Sequence, residues 1–411
     1  MSKPPHVPPG SNVPCDGYTY HMLSYINKVV TERGLQSLQL HAPDVTFMIP
    51  FGTDSQNRVK NMSWTLTWLL MNTNSKIMIY WSETEDTIKS FDAVFGGIKT
   101  GGATNYKEVF KAMSNSCGAG SQPLEGSMLE AGQESIHDFF VSIAIDNFKL
   151  PKDNHHFNPY CKAISGTTDP TAFYRPTFVE ALKDEITKRV SLFVDYRDDP
   201  AFHRMKYINR MLRWADTTYV CNHDTDVLID KTTLLKTISV LTETDVDFVY
   251  PYDHQDTGRR SQYRVYHADS ESRELHFLSV FTGDFSKSIA YGETSRSINA
   301  WGCTVFARAE SYRSAGGEVE QLVSWGPDDV ERATRFFKLG YTVARIPYGI
   351  VFHLEHPKSE NSGGEQQKHF SGNERLWQSI RALDENSLLL FMKERPHVLE
   401  YEWDVKRGRV G

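Results

Sequence analysis

The sequence is poor in cysteine. Its 411 residues include five cysteines, an odd number, and no two of them have the Cys-x-x-Cys spacing. The pattern excludes the usual zinc knuckle and gives no sign of a disulfide framework. Such cysteine usage is typical of a reducing compartment. The five are Cys15, Cys117, Cys161, Cys221 and Cys303.

Long apolar runs are also missing. No stretch approaches the ~20 apolar residues that a membrane helix requires. Residues 1–11, Met-Ser-Lys-Pro-Pro-His-Val-Pro-Pro-Gly-Ser, lack the apolar core of a signal peptide. We therefore predict a cytoplasmic protein with no membrane partner, whose proline-rich residues 1–16 form a flexible arm.

Positive charge is not in excess, because the net charge is −7. This argues against a surface built to neutralise nucleic-acid phosphates. The Lys and Arg residues of 178–213 are interleaved with Asp and Glu, which favours a solvated helical face over a phosphate-binding strip.

A strand, a helix and a second strand follow one another early in the chain. Residues 44–50 are a short apolar run ended by Pro50, a helical pattern starts near Asp54, and residues 76–81 form another β-rich run. A βαβ unit implies parallel strands joined by a right-handed crossover. The fold class predicted is therefore α/β, with a Rossmann-like, mostly parallel central sheet flanked by helices.

The same alternation returns after residue 200. A helix is predicted over 202–215, a strand over 218–221, a helix over 231–242 and a strand over 247–250. Between 87 and 200 the alternation weakens and glycine-rich loops appear, which predicts a large insertion between two halves of the sheet.

Asp224 and Asp226 stand two residues apart directly after the 218–221 strand. Two carboxylates at a strand end suit a hard divalent cation such as Mn²⁺ or Mg²⁺, which would neutralise a diphosphate. An Asp-x-Asp pair is common in surface turns, but α/β sheets bind ligands at the carboxyl ends of their strands. The position favours a metal site.

Two later motifs are ambiguous when taken singly. Residues 325–331, Trp-Gly-Pro-Asp-Asp-Val-Glu, read as an acidic start of an amphipathic helix, or as a helix that carries a general base. Residues 352–357, Phe-His-Leu-Glu-His-Pro, follow a strand predicted over 342–347, and either His353 or His356 could supply a metal-binding nitrogen. A single histidine at a strand end is more often structural.

Four motifs in this order resemble the GT-A glycosyltransferases of the family-2 type. They are Phe-Met-Ile-Pro-Phe with a downstream Asn-Arg, His-Arg…Ile-Asn-Arg…His-Asp-Thr-Asp, Trp-Gly-Pro-Asp-Asp-Val-Glu and Phe-His-Leu-Glu-His-Pro. They lie in the segments 44–83, 202–230 and 295–361. The sequence is most similar to the galactosyltransferase-type module of bacterial chondroitin polymerases, polypeptide N-acetylgalactosaminyltransferases and β-1,4-galactosyltransferases.

The resemblance implies a metal-dependent, inverting transfer of a sugar from a nucleotide-sugar, a UDP-sugar in the first instance, to an acceptor hydroxyl. Mn²⁺ or Mg²⁺ is the implied cofactor. The metal ligands are Asp224, Asp226 and His353, with His356 as the alternative histidine. The donor-binding positions are Pro50, Phe51, Arg58, Glu83 (with Ser82 and Glu85 as rivals), Arg204, Asn209 and Asp224.

On the acceptor side, Asp329 matches the catalytic carboxylate of the family. Asp328 matches the acidic residue that positions the acceptor, and the neighbouring positions are Trp301, Gly302 and Trp325. The family usually has Glu where this chain has Asp328, and Pro327 also departs from its pattern. The acceptor is expected to be a glycan, with a protein or a hydroxylated nucleobase in DNA as alternatives.

The resemblance also divides the chain into segments. The arm 1–16 precedes a nucleotide-sugar-binding half at 17–86, and the insertion 87–200 is predicted to form an acceptor-side subdomain. A metal-binding and catalytic half follows at 201–365, with a helical extension at 366–411. Two other functions are alternatives: a nucleotidyltransferase that uses the same Asp-x-Asp metal site, and a non-catalytic carbohydrate-binding protein.

Overall fold

A computed structural model of the chain describes residues 32–88, 114–115, 123, 176–256, 261–263, 265–268, 285, 301–357 and 367–398. The arm 1–16 and most of the insertion 87–200 lie outside these residues. Among the residues described, no helix combines the length and the apolar character of a membrane span.

The centre of the fold is a seven-stranded sheet. Its strands are β1 (Val45–Phe51), β2 (Lys76–Glu83), β3 (Val190–Tyr196), β4 (Tyr219–His223), β6 (Phe248–Tyr250), β10 (Thr304–Arg308) and β11 (Val343–Arg345). The order across the sheet is β11-β6-β10-β4-β1-β2-β3. Only β10 runs antiparallel to its neighbours, so the α/β class with a mostly parallel sheet is confirmed.

A second, three-stranded sheet stands beside the carboxyl end of β4. It consists of β5 (Val227–Ile229), β12 (Val351–Leu354) and β9 (Val265–Ala268), in the order β5-β12-β9. Strand β12 is antiparallel to β5, and His353 is paired with Val227. The pairing therefore places the histidine-containing motif directly beside the Asp-x-Asp loop. A further hairpin joins β7 (His254–Asp256) to β8 (Ser261–Tyr263).

Helices flank the sheet. They are α1 (Gln56–Asn72), α2 (Pro176–Arg189), α3 (Arg204–Trp214), α4 (Lys231–Glu243), α5 (Ala309–Ser314), α6 (Asp328–Lys338), α7 (Phe370–Ala382) and α8 (Glu385–Lys393), with a 3-10 helix at Leu35–Leu38. Helix α1 begins at the cap Ser55, whose hydroxyl accepts a hydrogen bond from the Arg58 amide. Its Trp64, Leu66 and Trp68 are buried in the core.

Residues 190–196 form β3, an edge strand of the central sheet that is paired along its whole length with β2. The end of the segment 87–200 therefore belongs to the sheet, and with α2 leading into β3, any inserted subdomain ends before residue 176. Strand β3 follows α2 without an intervening loop, so no turn residue in the sequence marks where the strand begins.

Candidate active site

The loop that carries Asp224 and Asp226 is fixed from three sides. Before it, the buried His223 ring contacts the Thr304 hydroxyl at 3.0 Å and the Val227 carbonyl at 3.0 Å. Burial lowers the pKa of His223 to about 4, so this imidazole is neutral at physiological pH. A neutral ring with one N–H and one acceptor nitrogen can serve both contacts at once.

Helix α1 ties this loop to β12. The Thr65 hydroxyl donates to the Thr225 carbonyl at 2.9 Å, and the side-chain amide of Asn61 donates through Nδ2 to the Leu354 carbonyl at 3.2 Å. The Leu354 amide donates in turn to the Asp226 carbonyl at 2.7 Å. Two distant pieces of sequence are thereby held in one rigid arrangement.

Asp226, His353 and His356 form a group with the geometry of a metal site. One ligand atom from each lies within 4.8 Å of the others. Nε2 of His353 is 3.5 Å from Oδ1 of Asp226, and Nε2 of His356 is 3.3 Å from Oδ2. Oδ1 of Asp226 is buried and has no hydrogen-bond partner among the described residues. A buried carboxylate oxygen in this state fits a role as a cation ligand.

The charges in this group depend on one another. Burial opposes ionisation of Asp226, yet the neighbouring His353, the hydrogen bond from His356 and the Arg58 guanidinium lower its pKa below the ordinary value. The hydrogen bond to Asp226 raises the pKa of His356 above its usual 6.5. The carboxylate is ionised, as a metal ligand must be.

Asp224 points away from this group and toward Arg204, at the start of α3. Nη2 of Arg204 is 2.5 Å from Oδ1 of Asp224 and 3.1 Å from Oδ1 of Asn222. Nη1 donates to Oδ2 of Asp328 at 3.1 Å and lies 4.0 Å from Oδ1 of Asp329. One guanidinium thus connects the Asp-x-Asp loop to the acidic start of α6.

Both acidic residues predicted at the start of α6 face this same place. Asp328 is buried, and burial raises the pKa of its carboxyl group well above the ordinary value, with the charge of Asp329 adding to the effect. The Asp329 side chain remains 32% exposed and forms an ion pair with Arg332 one turn later. The more accessible of the two carboxylates is therefore Asp329.

Gly302, next to Trp301 in sequence, lies against Asp329. A Cβ atom on Gly302 would lie 2.5 Å from Oδ2 of Asp329, so a larger residue here would force the Asp329 side chain to shift. The Gly302 carbonyl accepts a hydrogen bond from the Tyr252 hydroxyl at 2.7 Å. Cys303 next to it has φ 70°, a left-handed conformation that non-glycine residues adopt rarely and mostly at functional sites.

Trp301 belongs to an aromatic cluster around one cation. The guanidinium carbon of Arg345 is 4.2 Å from the centre of the Trp301 ring, 4.9 Å from that of Tyr250 and 5.3 Å from that of Tyr252. Cation–π contacts at these distances hold the indole in place. Trp325 is 38% exposed and stacks on Phe370 at 5.4 Å, so it presents a ring face at the surface.

The remaining residues predicted to bind the nucleotide-sugar donor lie in different surroundings. Arg58 pairs with Asp54 at 2.9 Å and lies 3.9 Å from Asp226, beside the metal group. Pro50 and Phe51 end β1 in the core, and the Phe51 ring is fully buried against Trp81 at 5.6 Å. Both residues therefore pack in the core at the end of β1.

Glu83 and Asn209 are buried and hold protein groups. Oε1 of Glu83 accepts hydrogen bonds from the Thr53 amide at 2.8 Å and the Trp81 indole at 2.5 Å, while burial raises the pKa of its carboxyl group. The Asn209 amide donates to the Glu318 carbonyl and to Oε1 of Glu320, both at 3.0 Å. The structure thus shows Asn209 as a support for the 318–320 segment. Of the rivals to Glu83, Ser82 contacts the Tyr207 hydroxyl at 2.8 Å and Glu85 lies 3.5 Å from the Tyr196 hydroxyl.

Sequence reasoning missed Asn222, Glu318, Arg332 and Arg345. Each is buried or partly buried and contacts a predicted site residue directly or through one neighbour. A buried arginine four residues after an acidic pair resembles any polar position of an amphipathic helix. Nothing in the spacing distinguishes it, although two arginines on the buried face of α6 were a signal that carboxylates lie nearby.

Comparisons with known proteins give only distant likeness. No family model and no curated protein matches the chain. Two solved structures with some similarity are glycosyltransferases. The catalytic domain of Drosophila β1,4-galactosyltransferase 7 in complex with xylobiose is 17% identical, with coverage of 46% of this chain and 68% of that one and a TM-score of 0.28. A mannosyltransferase from Pyrobaculum calidifontis in complex with GDP-Man and Mn²⁺ is 11% identical. The match covers 95% of this chain and 78% of the mannosyltransferase, with a TM-score of 0.33. Because both TM-scores are below 0.5, the functional assignment rests on the site residues themselves.

Proposed function

We propose that this protein is a metal-dependent glycosyltransferase that moves a sugar from a nucleotide-sugar donor to an acceptor hydroxyl with inversion at the anomeric carbon. One observation carries the proposal. A potential cation site (Asp226, His353 and His356) and a partly exposed carboxylate (Asp329) are linked through Asp224 and Arg204 at the carboxyl ends of the central strands. A displacement reaction on a sugar diphosphate needs these two functions.

The metal group would hold a divalent transition ion. Two imidazole nitrogens and one carboxylate oxygen suit Mn²⁺ better than Mg²⁺, which prefers oxygen ligands and retains its waters. When bound, the cation neutralises charge on the diphosphate of the leaving nucleotide. Arg58, 3.9 Å from Asp226, supplies a further positive charge at the same place.

Arg204 and Asp224 would bind the donor next to the cation. Their ion pair is the part of the site that lies between Asp226 and the acidic start of α6. The neighbouring carboxylates Asp224, Asp329 and Asp328 raise the pKa of Arg204 although its burial opposes this, so the guanidinium is permanently charged. Arg204 offsets part of the negative charge of these three carboxylates, and the bound cation would supply the remaining positive charge that an anionic donor needs.

Asp329 would be the general base. Its carboxylate accepts the proton of the acceptor hydroxyl while that oxygen attacks the anomeric carbon from the face opposite the diphosphate. Asp328 is buried beside it and would hydrogen-bond the acceptor or fix Arg204. Trp301 and the exposed face of Trp325 suit stacking against the apolar face of a sugar ring, so we propose a glycan acceptor and a UDP-sugar donor.

The proposal is tested with a donor panel. UDP-galactose, UDP-N-acetylglucosamine, UDP-glucose and GDP-mannose are each incubated with Mn²⁺ and a set of p-nitrophenyl glycosides, and released nucleoside diphosphate and glycosylated product are quantified. We expect one donor class to react in a Mn²⁺-dependent manner. Absence of turnover with every donor, together with turnover of UTP or GTP, would instead identify a nucleotidyltransferase. Sugar binding without turnover of any nucleotide would identify a carbohydrate-binding protein.

Two parts of the assignment rest on the sequence alone. We propose that residues 87–175 form an acceptor-side subdomain, because of the length of this segment. We also propose a cytoplasmic location, because of the composition of the sequence.

The acceptor classes are distinguished by mass spectrometry of the reaction product with glycan, protein and hydroxymethylated DNA acceptors.

A further inference from the structure

Arg332 is buried on α6, one turn beyond Asp329, and contacts two carboxylates. Its guanidinium forms an ion pair with Oδ1 of Asp329, and its Nε lies 3.3 Å from Oε1 of Glu318. The Arg332 side chain is only 2% exposed and that of Glu318 is fully buried. An arginine so deeply buried is stable only when its charge is compensated, which Glu318 and Asp329 do together.

Glu318 is itself held by several groups. Oε1 accepts a hydrogen bond from the Tyr312 hydroxyl and lies 3.4 Å from the Asn222 amide nitrogen. Its backbone amide donates to Oδ1 of Asn209 at 2.7 Å. The side-chain Oδ1 of Asn222 accepts a hydrogen bond from Arg204 at 3.1 Å, so this buried network continues to the donor side of the site.

We propose that Arg332, anchored by Glu318, is a positioning residue for Asp329. This proposal rests on the proposed function. The Asp329 carboxylate is 32% exposed and would turn freely about its terminal bond without a partner. With Oδ1 held by Arg332, the second oxygen, Oδ2, faces Gly302 and is the one that receives the acceptor proton. A base fixed in this way needs less reorganisation when the acceptor attacks.

The same helix contains a matched control pair. Arg335 and Glu331 are equally buried and form two hydrogen bonds of 2.8 and 3.0 Å with each other. Within the part of the chain that the structure describes, Arg335 makes no ion pair or hydrogen bond with Asp329; its third hydrogen bond goes to the Ala315 carbonyl. Removing this pair thus removes the same buried charges from α6 without touching the base.

The kinetic test uses R332Q, R332K and the charge-balanced double variant R332Q/E318Q, with R335Q/E331Q as control. With the donor and acceptor from the panel, we expect R332Q and R332Q/E318Q to lose ~10–100-fold in kcat, because a misplaced group costs up to about 10²-fold. KM for the donor and the affinity for Mn²⁺ and UDP should stay unchanged. R332K should recover most of the kcat, since one charged donor is enough to hold Oδ1, and the control should lose none.

A variant without the proposed base, D329N, distinguishes a positioning role of Arg332 from a purely structural one. In D329N, the further change R332Q should have no effect on residual transfer, because the group that Arg332 positions is already disabled. An additional drop of tenfold, or an equal loss in R335Q/E331Q, would overturn the proposal.

A crystal structure of R332Q gives a readout that does not depend on turnover. We expect the Asp329 carboxylate to leave the orientation shown by the wild-type and R332K proteins. If Asp329 kept that orientation in R332Q, the positioning role would be refuted whatever the donor. Absence of transfer by the wild-type protein would refute the proposed function alone, and the crystal structures would still decide this inference.

Discussion

Gly302 and Asp329 are in such close contact that a larger residue at position 302 would have to displace the Asp329 side chain. A Cβ atom there would be 2.5 Å from Oδ2 of Asp329, well inside normal contact. The backbone at Gly302 is held by the Tyr252 hydroxyl, so it cannot move away easily. The glycine thus defines how near the acceptor-side segment comes to the carboxylate.

We therefore expect G302A to displace Asp329 and to lower kcat by ~10–100-fold, on the scale of a misplaced catalytic group. G372A is the control, because Gly372 lies in α7 with nothing within 4 Å of its Cβ position. That change should leave turnover intact and raise the free energy of unfolding by about 0.5–1 kcal/mol. Equal kcat values for G302A and the wild-type protein would show that the contact is irrelevant to turnover.

Replacement of the proposed base should abolish transfer but not donor binding. D329N should lower kcat by ~10²–10⁴-fold, the usual contribution of a general base. The dissociation constant for UDP with Mn²⁺, measured by calorimetry, should change less than about threefold, a change of under ~1 kcal/mol. A D329N protein with normal kcat would exclude this residue as the base and leave Asp328 as the candidate.

Each member of the metal group should be needed for cation binding. D226N, H353N and H356N should each weaken Mn²⁺ affinity by more than ~10–100-fold, the range found for partners that only support a ligand. H41N, at an exposed histidine that contacts Asn74, is the control and should bind Mn²⁺ normally. If H356N also bound Mn²⁺ normally, then His353 and Asp226 would need a different third ligand, with Asp224 the first to test.

Cation affinity should depend on pH in a defined direction. The pKa of His356 is raised above 6.5 by its hydrogen bond to Asp226, so the protonated ring competes with the metal up to that higher pKa. In the metal-free protein this pair stabilises the fold below pH 6.5, and the contribution is lost as the pH rises through the raised pKa. We expect the rise in Tm caused by Mn²⁺ to be large at pH 8 and small at pH 5.5.

Calorimetry in buffers with different ionisation enthalpies checks the same point. Binding of Mn²⁺ should release more protons near pH 6 than at higher pH, because the His356 ring loses its proton as the pH rises through its raised pKa. A constant proton count over this range would mean that His356 does not bind the cation as a neutral ring.

Arg204 should not tolerate lysine. It donates to Asp224, Asn222 and Asp328, and a lysine has one point charge instead of a planar set of donors. We expect R204K to lose about 10–100-fold in kcat/KM, in line with ~1.5–3 kcal/mol for a hydrogen bond to a charged group. R313K is the control, since Arg313 donates to the backbone carbonyl oxygens of Leu212 and Ala215. Equal kcat/KM in both variants would remove Arg204 from the donor site.

The sequence was sufficient for most of the regular structure. Apolar spacing predicts three of the strands and four of the helices, because an element that buries one or both faces has apolar residues at regular intervals. These elements are β1, β2, β4, α1, α3, α4 and α6. The apolar pattern did not predict β3, a buried strand that continues directly from a helix. It did not predict the antiparallel β10 either. Pairing partners depend on contacts distant in sequence, and local patterns do not contain that information.

For the site, motif order was the useful signal. The fold brings Asp226 together with His353, and it brings Asp328 and Asp329 to Arg204. The roles that the resemblance implies for these residues stay predictions. The roles of individual side chains could not be read in this way. Asp224 and Asp226 are only two residues apart, yet one contacts Arg204 and the other faces two imidazoles.

By itself the sequence determined the α/β class, the mostly parallel sheet and the residue types available for chemistry, because these follow from apolar periodicity and from side-chain identity. Only the tertiary structure decided which side chains meet. The pairing of His353 with Val227 brings the histidines to Asp226, and the burial of Arg332 and Glu318 fixes Asp329. The His353–Val227 pairing joins residues more than a hundred positions apart, and it exists only once the packed core has fixed their backbones.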